Sequence, residues 1–298
     1  MNIDEYLGNA KKIEDAINDA YADAPREETR RYIGASGVGN PCNQYLALCL
    51  RGYPESEIVP KLKRIFRDGH RIEEDVVADL KLAGYDVKEV DEITGKQFRY
   101  SDFGNHVMGN ADGNIVLDGI NHILEIKSMN DARWKKCHKY GVKSSDPKYF
   151  AQMQLIMGLS QIHKSCFVSY NKNTSEYLSE IVDYDEFEYA DLQRRIKIVL
   201  EGNERRLSST ATDWRCKTCF KRSACWEGET YPAACHNCSH AKPIQMGNKS
   251  WWCGKHDIEA VKICDDHNYY QPRPSVASWV GHGVHSVNHL VLFFLRLT

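Results

Sequence analysis

The chain has 298 residues and a mass of 34.2 kDa, which at ~150 residues per domain suggests about two domains. With 42% hydrophobic and 27% charged residues and a mean hydropathy of −0.55, the composition is ordinary for a globular protein and excludes collagen-like, disordered and membrane-spanning classes. Lysine and arginine number 39 against 41 acidic residues, a net charge of −2, so no global basic excess marks a nucleic-acid binder, although a neutral total can conceal a local positive groove.

The opening Met1-Asn2-Ile3-Asp4-Glu5 lacks the basic and apolar segments of a signal peptide. The longest apolar run, Leu290 to Leu295, is far short of the ~20 residues that cross a bilayer. The expected location is therefore a reducing, cytoplasmic compartment with no membrane contact. Eleven cysteines, an odd number, argue against a disulfide framework there, and seven of them crowd between Cys216 and Cys264. Such crowding points to metal.

In chain order, apolar spacing predicts a helix over 3–22, a charged break at Pro25-Arg26-Glu27-Glu28, and a loop over 34–40. That loop is glycine-rich but lacks the lysine of a phosphate-binding loop, and no dinucleotide fingerprint is present. Pro41 suits the first turn of a helix running to about Leu50, with Gly52 as its stop. A longer helix covers 62–82, ended by Gly84. Strands are predicted at 85–90, 97–100, 114–117, 122–126, 165–170 and 177–182, with helices at 148–159 and 187–206. This succession describes a mixed α/β (α+β) domain, a mixed central sheet flanked by helices, over residues 1–226. Residues 227–272 form a Cys/His-rich module too short to build much core without metal, and 273–298 form a tail.

Asp118-Gly119 between Ile115-Val116-Leu117 and Ile120 suits a two-residue type I′ hairpin. That turn sets Asp112 opposite Glu125, where like charges ~5 Å apart are destabilising unless they share a cation. Lys127 lies on the same strand face as Glu125, while Leu124 and Ile126 face the core. Two carboxylates and an ammonium are the parts of metal-assisted hydrolysis. In the 62–82 helix, Phe66, His70, Glu73 and Val77 share one face, predicted to point at the core.

Asp112 followed by Glu125-Ile126-Lys127 resembles the PD-(D/E)XK nuclease motif in its RecB-like branch. The resemblance covers about residues 30–226. It implies a restriction-endonuclease-like core and hydrolysis of DNA with Mg²⁺ or Mn²⁺ held by Asp112, Glu125 and Glu73 or His70, with Lys127 assisting. Gln152 resembles the glutamine of the family's Gln-x-x-x-Tyr motif, which holds the DNA end or the nucleophile. Two departures stand out: Ala111 replaces the proline, and Ile156 the tyrosine. The resemblance further implies an exonuclease acting at DNA ends in recombination or repair, of the phage type that works beside a single-strand annealing protein.

Cys216-x2-Cys219-x5-Cys225 supplies three thiolates, and Cys42 is the nearest plausible fourth, with Cys49 a weaker alternative. The set resembles that of the iron–sulfur nucleases, AddB and the CRISPR adaptation nuclease, and implies a [4Fe–4S] cluster; tetrahedral zinc accepts the same ligands. Gln44 stands where that family usually has arginine. Cys235-x2-Cys238, Cys253 and Cys264 have the spacing of a structural zinc site, in which His256 or His267 could replace a cysteine. Two other functional classes compete: a non-catalytic nucleic-acid-binding module on a degraded nuclease fold, and an iron–sulfur redox sensor.

Overall fold

The computed structural model describes residues 3–25, 28–228 and 231–260. In chain order the elements are α1 (Ile3–Asp23), β1 (Ile33–Gly34), α2 (Ala35–Val38), α3 (Asn43–Leu50), α4 (Pro60–Leu82), β2 (Asp86–Lys88), β3 (Arg99–Asp102) and β4 (Val107–Asn110). They continue with β5 (Gly113–Leu117), β6 (Ile120–Met129), α5 (Asp131–Ser145), α6 (Pro147–Ser160), β7 (Lys164–Asn171), β8 (Tyr177–Asp183) and α7 (Glu186–Leu200). Two short helices follow, α8 (Trp214–Lys217) and α9 (Arg222–Trp226), and then β9 (Ala241–Pro243), β10 (Trp251–Cys253) and β11 (Ile258–Glu259). Among the described residues no helix is long and apolar enough to cross a membrane.

The central sheet has five strands in the order β2-β5-β6-β7-β8, antiparallel except for the parallel β6–β7 pair. A parallel pair requires a crossover, and α5 and α6 provide it. The β5–β6 register pairs Leu117 with Ile120 and Gly113 with Leu124, as the Asp-Gly turn predicts. Asp118 and Gly119 both have positive φ, 50° and 76°, the signature of a type I′ turn.

The sheet is covered on both faces. Beneath α4, Val76 and Val77 pack with Val87, Ile115, Leu124, Ile126, Cys166 and Val168. On the opposite face Ile123, Phe167, Phe150, Met153, Ile156, Leu192 and Ile196 form the larger core with α3, α6 and α7. Gly39 permits the close approach of the α2 turn to α6, since a Cβ there would lie 2.6 Å from the Cα of Lys148.

Four expectations are revised. Residues 35–38 are a short helix within the predicted loop, and the 187–206 helix stops at Leu200, before Gly202 with φ of 80°. α5 has no counterpart in the apolar periodicity. The Phe66–His70 part of α4 is exposed, and it is the side carrying Lys63 and Arg64 that lies along α1. There Lys63 Nζ donates to the Tyr21 carbonyl at 2.5 Å and Arg64 to Asn18 Oδ1 at 3.0 Å.

The 235–260 segment forms a small antiparallel sheet, β11-β10-β9. Its Cys238, Ala241 and Trp251 are part of the larger core. Arg51, at the end of α3, donates to the carbonyls of His236, Cys238 and Ala241 at 3.0–3.2 Å and lies over the Trp251 ring.

Candidate active site

The site is assembled at the junction of β5, β6 and α4. The strand period carries Leu124 and Ile126 into the core beneath α4 and turns Glu125 and Lys127 to the other face. Asp112, just before β5, is fixed by the Ile126 amide, which donates to its Oδ2 at 2.7 Å. Lys127 Nζ lies 2.5 Å from Glu125 Oε1 and 3.7 Å from Asp112 Oδ2, and donates to the Ile126 carbonyl at 2.8 Å. The ammonium thus stands between the two carboxylates.

Glu125 is 0% exposed, and neither of its oxygens receives a well-directed hydrogen bond. Burial pushes its carboxyl up to about 8; Lys127 works against that shift, and Asp112 and Glu73 reinforce it. Burial disfavours the Lys127 ammonium, but Glu125 and Asp112 outweigh it and raise the lysine above its ordinary range. Glu73 extends the acidic cluster from α4: burial and then Asp112 raise its carboxyl, with Lys127 and His70 opposing. A buried carboxylate whose close donor, the Lys127 ammonium, is poorly directed remains costly. A cation shared with Asp112 is what its chemistry fits.

Of the residues singled out in the sequence, the structure brings together Asp112, Glu125, Lys127 and Glu73. His70 is exposed and reaches the group only through Glu73, with Nδ1 3.3 Å from Oε2. Gln152 is buried on α6. Ile156, in the place of the motif's tyrosine, is fully buried and packs against Gly109. An aromatic ring nevertheless reaches the site from α6, one turn before Gln152. Lys127 Nζ lies 5.5 Å from the Tyr149 ring centre, and the Arg133 guanidinium 4.6 Å from the same ring. Neither residue was singled out in the sequence, because both lie outside the motif spacings. Only the crossover geometry signals them.

A second constellation joins the chain ends of the main domain. The Cys225 thiol lies within electrostatic reach of Cys42, Cys219 and Cys216, and Cys219 within reach of Cys42 and Cys216. Burial pushes Cys225 up to about 11, with Arg206 opposing. Cations surround the group. Arg195 holds the loop leading to Cys42, donating to the Val38 and Asn40 carbonyls and to Asn43 Oδ1. Lys221, almost wholly buried, donates to the Tyr53 carbonyl at 2.7 Å. Cys49 sits beside Tyr45, Lys221 and Cys219, and burial pushes its thiol up to about 11.

Among the described residues, no three His, Cys, Asp or Glu side chains converge on a point that would hold a single ion. Cys235, Cys238 and Cys253 lie in the β9–β10 module without converging, and His256 is exposed. Cys264 and His267, the remaining members of the expected zinc set, lie outside the described residues.

No family model matches the chain, and no curated protein matches it. Solved structures are similar to it. An alkaline exonuclease, LHK-Exo from Laribacter hongkongensis, is 20% identical, with 62% of this chain and 91% of that one covered at a TM-score of 0.43. LHK-Exo in complex with dAMP gives 18% identity, 63% and 91% coverage and the same TM-score, 0.43. A phage-related exonuclease from Haemophilus somnus is 16% identical, with 45% and 68% covered at a TM-score of 0.31.

Proposed function

We propose that the chain is a metal-dependent deoxyribonuclease, an exonuclease that hydrolyses phosphodiester bonds at DNA ends. The observation that carries this is Glu125: a carboxylate with no exposure and no directed hydrogen bond, next to Asp112 and Lys127 on one hairpin. Mg²⁺ or Mn²⁺, bound by Asp112 and Glu125 with Glu73 in support, would polarise the scissile phosphate and lower the pKa of a bound water. Asp112 is pre-positioned for this by the Ile126 amide. Lys127 stays charged beside the carboxylates, where it can stabilise negative charge developing on the phosphate. Gln152 is assigned to the DNA end, and His70 to orienting Glu73.

The Cys42, Cys216, Cys219 and Cys225 group is assigned a structural [4Fe–4S] cluster. A cubane binds each thiolate to its own iron, and Cys42 with Cys216, Cys219 and Cys225 supplies the four thiolates that it takes. The cations around the group support a site that carries net negative charge. The Cys235, Cys238, Cys253 and Cys264 set is assigned zinc. Recombination or repair beside an annealing protein, in a reducing cytoplasm, is the setting this activity fits.

The test is a time course on end-labelled linear duplex and closed circular DNA, with Mg²⁺, with Mn²⁺ and with chelator. Loss of the linear DNA alone, abolished by chelator, is the expected result. Binding without cleavage in either metal would leave a non-catalytic module. A cluster whose redox state controls the output would restore the sensor reading.

A further inference from the structure

α5 is the element that the periodicity does not announce, and it carries a dense run of basic residues. Between residues 131 and 148 stand six lysines or arginines and two aspartates, a net of four positive charges in a protein whose total is −2. Trp134 and Cys137 are buried, so the cations Arg133, Lys135, Lys136 and Lys139 occupy the exposed side of the helix. The helix begins at Asp131, four residues after Lys127 on the same run of chain.

Arg133 is the link between the two. Its Nε donates to Asp146 Oδ1 at 2.8 Å, and its guanidinium lies over the Tyr149 ring that Lys127 also approaches. Burial opposes its charge, but Asp146 and Tyr149 more than compensate, so the group is kept fully charged. About 40% of the side chain remains open to solvent. A guanidinium stacked on an aromatic ring and hydrogen-bonded along one edge retains N–H donors in a fixed plane, the geometry suited to two phosphate oxygens. The lysines beyond it are point charges on flexible stems, suited to following a backbone without reading bases.

We propose that Arg133, seated on Tyr149 and Asp146, clamps a DNA backbone phosphate adjacent to the scissile one, and that Lys135, Lys136 and Lys139 continue the track for the same strand. This rests on the nuclease assignment for its substrate, but it makes a separate claim about binding. It predicts sequence-independent, salt-sensitive affinity that does not require the catalytic metal.

The experiment is fluorescence anisotropy of a short labelled duplex with the full-length protein in chelator, over a salt series. Arg133→Gln should weaken binding by about tenfold and flatten the plot of log affinity against log salt by roughly 0.9, the loss of one phosphate contact. The double variant Lys135→Gln/Lys139→Gln should flatten it further, with similar losses on duplexes of unrelated sequence. Arg133→Lys should recover the slope but not the full affinity, which separates charge from fork geometry and from misfolding. Lys164→Gln, at the opposite end of β7 from the site, should leave both unchanged. Wild-type affinity and slope in both glutamine variants would overturn the track, even if the protein cleaves DNA. A wild-type protein that binds DNA with the expected slope, loses it in the variants and cleaves nothing in Mg²⁺ or Mn²⁺ would overturn the nuclease assignment while leaving the track standing.

Discussion

The carboxylate hairpin and the cysteine seam solve opposite problems. The hairpin is local: 16 residues from Asp112 to Lys127 contain the turn, the opposed acids and the lysine. One Asp-Gly turn sets the register, and the register places every charge. The seam is remote: Cys42 and Cys216 are separated by some 170 residues, and no local rule aligns them. Loop-closure cost rises only logarithmically with length, so distance is no obstacle. What the seam requires is a set of anchors on each side. Arg195 wraps the Cys42 loop, Lys221 reaches the Tyr53 carbonyl, and Arg206 donates to the Cys225 carbonyl at 2.9 Å. A local site is specified by spacing, whereas a remote one is specified by buried and half-buried cations that tie distant backbone together.

The largest effect should fall on the hairpin. Lys127→Ala and Asp112→Asn are each expected to reduce DNA cleavage by at least ~10²-fold, because each removes charge aimed at the transition state. Both variants should remain folded and bind duplex DNA with near-wild-type affinity. Glu73→Ala should cost more activity than His70→Ala, since Glu73 interacts with Asp112 and Lys127 while His70 pairs with Glu73. Near-wild-type rates in either hairpin variant would show that the local site is not the catalytic one.

The seam should break differently, in stability and metal content. Cys42→Ala is expected to lose the iron and lower Tm by about 10 °C or more, since binding energy of the group is folding energy for both chain ends. Cys49→Ala should do much less. Anaerobically purified protein should be brown, with about four irons and roughly one zinc per chain, and Cys235→Ala should release only the zinc. Colourless protein with about two zincs and no iron would make both cysteine groups zinc sites.

The same contrast explains what was legible in the sequence. The five strands of the central sheet, the Asp118-Gly119 turn and the register that ends at Gly113–Leu124, one step short of Asp112 and Glu125, all follow from two-residue alternation and turn chemistry. α5 was not legible, because its buried positions are few, Trp134, Cys137, Val142 and Ser145, and Gly141 interrupts the helix with φ of 71°. Hydrophobic periodicity cannot announce a helix whose main content is charge. Tyr149 and Arg133 were hidden for a related reason: they meet Lys127 through the crossover, across an interval no motif spans. The Phe66–His70 stripe had the spacing of a core face, but in the structure it is exposed, while Lys63 and Arg64 of the same half of α4 meet α1.

A third perturbation tests the anchors directly. Arg51→Met keeps the volume of a buried side chain but leaves the carbonyls of His236, Cys238 and Ala241 without its donors. Charged hydrogen bonds of this kind make a cost of about 3 kcal/mol reasonable. It should appear as faster hydrogen exchange in β9 and β10, with the carboxylate site and its cleavage rate little changed. Equal loosening of the central sheet would mean that the Arg51 contacts hold the whole core together rather than the 235–260 segment in particular.

The smallest effect concerns His106, which ties the β3–β4 turn to the same segment. Its Nε2 lies 3.0 Å from the Ser250 carbonyl, and its ring meets Trp251 edge-on. Nearby, the Lys249 amide donates to the Gly104 carbonyl at 2.7 Å. Burial lowers the imidazole pKa, and Lys249 adds to this against the opposing pull of the Ser250 carbonyl. The folded protein therefore prefers neutral His106, while the unfolded chain takes up a proton near pH 6.5. The stability this provides is fully present above about pH 6.5 and is lost as pH falls below it toward the folded-state value. Hydrogen exchange in β10 should accelerate between pH 7 and pH 5, after correction for the intrinsic pH dependence of exchange, with the central sheet unaffected. In His106→Gln, which cannot titrate, that extra acceleration should disappear. If it persists, the acid sensitivity of this junction lies in a group other than His106.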